Sequence, residues 1–366
     1  GFAQFFGVVI PEVSEKHILI NAGSWKLTSA QLISVGLIAL LTAVNCRGIE
    51  AAKLIQTTFT AAKVFALGAI IVAGFLAFNR FDGLAPNLAG FWQSVNLQGQ
   101  PLEGVQLLMV IGLAMVGPLF ACDAWNNITF AGEEVKDAEK VLPKSLALGT
   151  LIVVSIYLLA NIVYLLLLPL HGTEGGGTII ERGIQFAQEN RVGTAAAQII
   201  FGQPGAFIMA GAIMVSTFGC LNGLILSGAR VYYAMAKDGF FFKRAGVLDA
   251  KTNVPVFGLI IQGVWSAALA MSGTYSDLLE YVVFAALLFY VLTVAAVILL
   301  RVKQPDLPRP YKVIAYPFLP ALYLVAASAV MAGQIYLHPQ FAGAGLLIIL
   351  SGLPVYFFCK SALRTT

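Results

Sequence analysis

The sequence predicts an all-α polytopic membrane protein, and three observations predict it. Of 366 residues, 59% are hydrophobic and only 11% are Asp, Glu, Lys or Arg, against roughly 25% charge in a soluble domain. Several apolar runs exceed the roughly 18 residues that mark a membrane-crossing helix. Basic residues collect in alternate loops between those runs, as cytoplasmic loops demand. The composition, with a mean hydropathy of +0.85, excludes a soluble enzyme, a disordered chain and a nucleic-acid binder. The partner it implies is the lipid bilayer.

Nine spans are expected, at about 27–46, 56–78, 105–131, 146–169, 205–233, 254–271, 276–300, 314–337 and 343–359. The sixth is short and the third is long. An apolar stub, Gly1 to Ile10, precedes them. It reads as the remnant of a preceding span, so the chain is expected to be a fragment and inactive alone. Residues 1–366 read as a single transmembrane domain with no soluble appendage. The stub has no basic region before its apolar part, so no cleavable signal peptide is expected.

Alternate loops hold Arg47 and Lys53; Lys136, Lys140 and Lys144; Arg230, Lys237, Lys243, Arg244 and Lys251; Arg301, Lys303, Arg309 and Lys312; and Lys360 and Arg364. The opposite loops hold only Lys16, Lys26, Arg80, Arg182 and Arg191. The asymmetry assigns the first set, and the C-terminus, to the cytoplasm. The longest external loop, about 170–204, opens on the flexible Thr173-Glu174-Gly175-Gly176-Gly177. A surface helix is expected after it, from Thr178 to Phe201, with entry of part of it into the membrane as the alternative.

Polar groups and helix breakers inside apolar spans are the informative residues, because lipid offers them no partner. The third span reads Gly117-Pro118-Leu119-Phe120-Ala121-Cys122-Asp123-Ala124-Trp125-Asn126-Asn127. Pro118 removes a backbone donor, and Asp123 is the carboxylate at mid-membrane depth. Two half-helices with a non-helical link around 121–124 are expected. Such links survive in a membrane only when buried in protein or lining a cavity, and in transporters they build the substrate site. A simple proline kink is the other reading. Asp123 is expected to cap the second half-helix by accepting from backbone near Trp125 or Asn126.

Lys63 stands about 10 Å into its span at 1.5 Å per residue. There it either snorkels to the interface or faces the bundle, where its ammonium replaces a bound cation or carries a proton. In the fifth span, Ser216-Thr217, Asn222-Gly223 and Ser227-Gly228-Ala229 point to close helix packing, with ligand contact as the alternative. Cys46, Cys122, Cys220 and Cys359 read as reduced packing residues. His17, His171 and His338 fall in or beside external loops, and neither H-E-x-x-H, G-x-S-x-G nor a Walker loop is present. No enzyme activity, cofactor or metal is expected.

Several collinear motifs together carry a resemblance. They are Phe120-Ala-Cys-Asp-Ala-Trp-Asn126, the loop Glu133-Glu134-Val-Lys-Asp-Ala-Glu-Lys-Val-Leu-Pro143, Leu41-Thr-Ala-Val-Asn45 and Thr60-Ala-Ala-Lys63. Val215-Ser-Thr-Phe-Gly-Cys-Leu-Asn-Gly223, Lys303-Gln-Pro-Asp-Leu-Pro-Arg-Pro310 and Leu350-Ser-Gly-Leu-Pro-Val-Tyr-Phe357 complete the set. From about residue 27 to its end the chain resembles the L-type amino acid transporters of the amino acid–polyamine–organocation superfamily, in a bacterial-type permease. The resemblance implies a five-plus-five inverted-repeat transporter fold lacking roughly its first three spans.

The resemblance also implies secondary transport of a neutral L-amino acid at the plasma (inner) membrane, sodium-independent and by alternating access, with antiport among its modes. Phe120 matches the family's aromatic gate, and Ala121, Cys122, Asp123, Ala124, Trp125 and Asn126 its substrate pocket. Lys63 matches the lysine that takes the place of a sodium ion. Cys122 stands where an aromatic is common and Ala124 where glycine is common. The loop at about 11–26 has no cysteine, so no disulfide-linked heavy chain is expected. The alternatives are a cationic amino acid or polyamine carrier of the same superfamily, in which Asp123 points into the cavity, and a membrane-bound enzyme or structural membrane subunit.

Overall fold

The computed structural model describes residues 1–23, 25–78, 84–89, 92–96 and 100–364. Arg80, counted above among the external basic residues, lies outside them. In chain order the elements are α1 (Phe2–Val9), the hairpin β1 (Ile18–Ala22) and β2 (Trp25–Thr28), α2 (Ser29–Cys46), α3 (Ile49–Ala77), α4 (Leu84–Ala89), α5 (Gly104–Ala114) and α6 (Val116–Ala121). A 3-10 segment, Asn127–Glu134, leads to α7 (Ala138–Leu167). Then come α8 (Ile179–Arg182), α9 (Val192–Phe201), α10 (Pro204–Lys237), α11 (Val256–Ala270), α12 (Tyr275–Lys303), α13 (Phe318–Leu337), α14 (Pro339–Leu350) and α15 (Gly352–Arg364).

Among the described residues, eight helical stretches are long and apolar enough to cross a membrane. They carry eight of the nine expected spans. The expected sixth span is α11, with 15 residues, about 22 Å at 1.5 Å per residue, shorter than a hydrocarbon core of about 30 Å. The last span runs through α14 into α15 and starts at Pro339, four residues before its expected position. The hairpin replaces part of the loop expected at 11–26; its strands pair antiparallel around Gly23, whose φ is +70°.

Helix starts follow local chemistry. Thr28 caps α2: its Oγ1 accepts from Gln31 N–H at 3.3 Å, and its own N–H donates to Gln31 Oε1 at 2.9 Å. Thr178 and Glu181 make the same capping box at α8. The expected single helix over 178–201 is instead two short helices. Gly183 turns the chain at φ +59°, and Glu189 and Asn190 also take positive φ. Nor does α9 lie on the surface. Its Ala195 and Ala196 are buried against Ile71 of α3 and Ala160, Val163 and Leu167 of α7. A run of small residues, Thr194 to Ala197, allows that approach.

The chain divides into two compact units. The first holds residues 1–93, 150–229 and 248–272. Its centre joins Leu37 and Leu41 of α2, Ile225 and Ala229 of α10, and Leu259 of α11. A polar tie runs through it. Asn45 and Asn222 are both 0% exposed. Asn45 Nδ2 donates to Asn222 Oδ1 at 2.9 Å and to Leu41 O at 2.8 Å, and Asn222 Nδ2 donates to Ala52 O at 3.0 Å. Three helices are thereby fixed in register by groups that lipid could not satisfy. Asn87 of α4 works similarly at the end of α7: its amide donates to Leu165 O and Leu168 O at 2.8 and 2.9 Å. These are carbonyls that a helix end leaves open.

The second unit holds residues 94–149, 230–247 and 273–366. Its core packs Val116 of α6 with Val283 and Leu287 of α12 and Ala327 and Val330 of α13. Arg309 closes the end of α12 by donating to Gln304 O at 2.6 Å and Leu300 O at 3.3 Å.

Replacing Asn222 by Leu leaves the Asn45 amide and the Ala52 carbonyl without their partner. A loss of about 1–3 kcal/mol is expected, read as an earlier thermal transition of the purified protein. The double change Asn45→Leu/Asn222→Leu should recover part of it. An Asn222→Leu protein that melts with the wild type would show the tie contributes nothing.

Candidate functional site: a broken helix beside Tyr290

Pro118 explains where the third span breaks. A proline has no N–H, so the carbonyl of Ala114, four residues back, loses its helical donor. The joint between α5 and α6 falls at Met115, the next residue. Leu119 N–H still reaches Met115 O at 2.8 Å and Cys122 N–H reaches Pro118 O at 3.0 Å. Asp123 N–H then closes on Phe120 O at 3.1 Å, a tightening common at helix ends. Helix α6 stops at Ala121, and Ala124 takes the left-handed φ of +64°. That conformation suits glycine and is strained for alanine. The second half is the 3-10 segment Asn127–Glu134 rather than an α-helix.

The break frees backbone groups. Among the described residues, the N–H groups of Ala124, Trp125 and Asn126 donate to no acceptor, and the carbonyls of Cys122 and Asp123 accept no hydrogen bond. These donors and acceptors stand within five consecutive residues.

Asp123 does not cap the second half-helix. The N-cap of that segment is Asn126, with no side-chain cap bond. Instead Tyr290 of α12 donates its hydroxyl to Asp123 Oδ1 at 2.6 Å and lies 3.4 Å from Asn126 Oδ1. An O–H to carboxylate bond of that length is charge-assisted and strong. It competes well against a cap because the tyrosine also needs a partner at that depth. The Trp125 ring tilts against Tyr290 with centroids 6.1 Å apart, and Phe120 meets the edge of Tyr275 at 6.4 Å. Phe120 also packs on the Val116–Val283 core. Ala121, Cys122 and Trp125 are exposed, whereas Phe120, Asp123, Ala124 and Asn126 are half-buried.

Six of the seven residues from Phe120 to Asn126 therefore border one open, polar break, with Phe120 anchored beside it. Tyr290 and Tyr275 belong to the same cluster and were not among the expected site residues. Tyr290 did leave a signal: it is the polar-tipped residue in the apolar stretch Val282 to Val291. Among the described residues no group of three or more His, Cys, Asp or Glu comes together in a way that could hold a metal.

Lys63 belongs to the first unit. The rings of Phe59 and Phe218 stack at 4.9 Å, and Asn222 reaches Ala52 O. A Cβ on Gly219 would stand 2.6 Å from Phe59 Cβ, so glycine admits that ring. These contacts make α3 and α10 antiparallel. Ala52, Phe59 and Lys63 follow at seven- and four-residue spacing on one face. Lys63 therefore stands on the face of α3 that carries Ala52 and Phe59 toward α10. It is half-buried, and among the described residues it makes no ion pair or hydrogen bond. The other small-residue positions of α10 serve packing: Gly223 faces Gln56, Gly228 faces Gln262, and Ala229 is buried.

Comparison with known proteins adds the following. The family model described as amino acid permease matches residues 2–353. The mouse (Mus musculus) large neutral amino acids transporter small subunit 2 is 29% identical over 333 residues, covering 89% of this chain and 57% of its own length. The serine/threonine exchanger SteT of Bacillus subtilis (strain 168) is 29% identical over 345 residues, covering 94% of this chain and 72% of its own. The mouse Asc-type amino acid transporter 1 is 27% identical over 337 residues, covering 90% and 58%. The chain thus spans little more than half the length of the mammalian relatives it matches.

Tyr290→Phe removes the hydrogen bond to Asp123 and should cost about 1.5–3 kcal/mol, lowering the thermal transition by several degrees. Asp123→Asn keeps an acceptor for the tyrosine and should cost less. Equal transitions for wild type and Tyr290→Phe would show that the pair does not hold the break.

Proposed function

The chain belongs to the amino acid permease family, and on that premise we propose that the whole protein is a secondary transporter of neutral L-amino acids. The observation that carries the proposal is the break at 122–126. It offers free N–H donors and free carbonyl acceptors within a few residues, at the depth of an apolar span. A zwitterion needs both: N–H groups answer its carboxylate, and carbonyls or a carboxylate answer its ammonium. Such groups at a broken helix are how inverted-repeat carriers bind substrate. The proposed substrate-binding residues are Phe120, Ala121, Cys122, Asp123, Ala124, Trp125 and Asn126, with Tyr290 holding Asp123.

The eight apolar stretches and the family make the chain an integral multi-pass membrane protein. Its placement in the plasma membrane is inferred from the likeness to a bacterial exchanger, and the cytoplasmic side of its C-terminus from the basic-residue asymmetry. The whole length is inferred to act as one transport domain by alternating access. Sodium independence is inferred from Lys63, whose position on the α10-facing side of α3 suits an ammonium standing where a cation would bind. The names of the relatives, two for transporters and one for an exchanger, favour amino acids, and "large neutral" and "serine/threonine" favour uncharged ones. A carrier rather than an enzyme is the reading they support. The absence of cysteine from residues 11–26 supports work without a disulfide-linked heavy chain.

One observation favours the cationic carrier as a second reading. Asp123 caps no helix, and its Oδ2 has no partner among the described residues. That oxygen could meet a cationic side chain.

Uptake of labelled serine, alanine or leucine into proteoliposomes holding the whole protein tests the proposal. Uptake without a sodium gradient is expected, and Lys63→Ala should cut it about tenfold or more, the cost of one charge-assisted contact. Transport of arginine or putrescine with none of a neutral amino acid would transfer the assignment to the second reading. Full transport by Lys63→Ala would leave that lysine only snorkelling.

A further inference from the structure

We propose that the first unit carries a second binding site, unconnected with residues 120–126, for a small molecule with an anionic oxygen group, a carboxylate or a phosphate. The site is a partly enclosed cavity of about 180 Å³ between the end of α1, α8, the first turn of α9 and the start of α10. At about 30 Å³ of liquid volume per water, it has room for roughly six waters. An acetate, the backbone of an amino acid or one phosphate headgroup fits such a space; a nucleotide does not.

The lining is rich in donors. Its charged residues, among those described, are Arg182 and Arg191. Arg191 is already engaged: it pairs with Glu189 at 2.6 Å, donates to Gln4 O at 2.8 Å and stands over the Phe5 ring. Arg182 is half-buried, and its guanidinium meets no acceptor among the described residues. Thr194 also lines the cavity. It is 9% exposed, and among the described residues its buried hydroxyl has no hydrogen-bond partner. Helix α9 begins without a side-chain cap, which leaves N–H groups of its first turn open; Arg191 and Thr194 at that start line the cavity. Gln188 and Gln198 contribute amide groups to the wall.

An unanswered guanidinium, a buried unanswered hydroxyl and an uncapped helix start around one small space leave donors without acceptors. Unsatisfied donors in a partly buried wall are costly, and an anionic oxygen group in the cavity answers the Arg182 guanidinium and, with a turn of the threonine side chain, the Thr194 hydroxyl. Arginine is suited to that role because its planar fork matches a carboxylate or a phosphate. The inference does not rest on the transport reading.

Isothermal titration of the purified protein in a neutral detergent tests it, with sodium acetate, sodium phosphate and a short-chain phosphatidylglycerol as the probes. At least one should bind with one-to-one stoichiometry. Arg182→Gln should weaken that binding about tenfold or more, Arg182→Lys should weaken it less, and Thr194→Val should also weaken it. Asp123→Asn should leave it unchanged. Binding of acetate alone identifies a carboxylate ligand, binding of phosphate without the lipid a free phosphate, and binding of the lipid a headgroup. If Arg182→Gln fails to fold, Arg182→Lys and Thr194→Val carry the comparison. Absence of binding by all three probes, binding indifferent to Arg182 and Thr194, or binding lost with Asp123→Asn would overturn the proposal.

Discussion

A backbone amide released from a helix inside hydrocarbon has nothing to bond to unless protein, water or a bound molecule supplies it. That constraint shapes the third span more than any contact does. Pro118 cannot donate to Ala114, so the helix parts at Met115, recovers for one turn and stops at Ala121. Beyond it the chain takes a left-handed residue, Ala124, and leaves several amides and carbonyls open. Such a segment is stable at this depth only if something fixes it. Here the fixing group is Tyr290, which holds the Asp123 carboxylate at 2.6 Å. The proposal that both ends of a zwitterion bind here rests on that arrangement.

The first unit meets the same constraint by the opposite means. Its buried polar groups mostly find each other. Asn45 and Asn222 tie α2, α3 and α10 together with no exposure to the surroundings, and Asn87 closes the end of α7. Small residues let the helices approach closely enough for this, as where Gly219 admits Phe59. Among the described residues the match is incomplete: Thr42 Oγ1, Gln56 Oε1, Gln262 Oε1 and the Thr194 hydroxyl of the α8–α9 cavity are buried without a hydrogen-bond partner, and Lys63 makes no ion pair or hydrogen bond. Of these, Lys63 and the cavity lining are the ones for which a bound partner is proposed.

Much of this was legible in the sequence because the governing signals are local. Span length, the break at Pro118 and the packing role of Gly223 and Gly228 each depend on a few neighbouring residues. The partner of Asp123 was not legible, since Tyr290 lies 167 positions away and a local cap looked sufficient. The surface helix expected over 178–201 failed for a related reason. Its periodicity is helical, but Gly183 and the pair Glu189-Asn190 turn the chain, and Ala195 and Ala196 bury against helices that are distant in sequence. The hairpin at 18–28 also escaped notice, because two strands of five and four residues leave too short a pattern.

Cys122 gives the most direct measurement of the central claim, that the break at 122–126 is where an amino acid binds. It is an exposed free thiol inside the break. In a Cys220→Ala background, which removes the other exposed free cysteine, the rate at which a polar maleimide labels Cys122 can be followed in membranes. Saturating L-serine or L-leucine should slow that labelling about tenfold, as expected at 90% occupancy, while L-arginine should not. Labelling at the same rate with and without any amino acid would contradict the account.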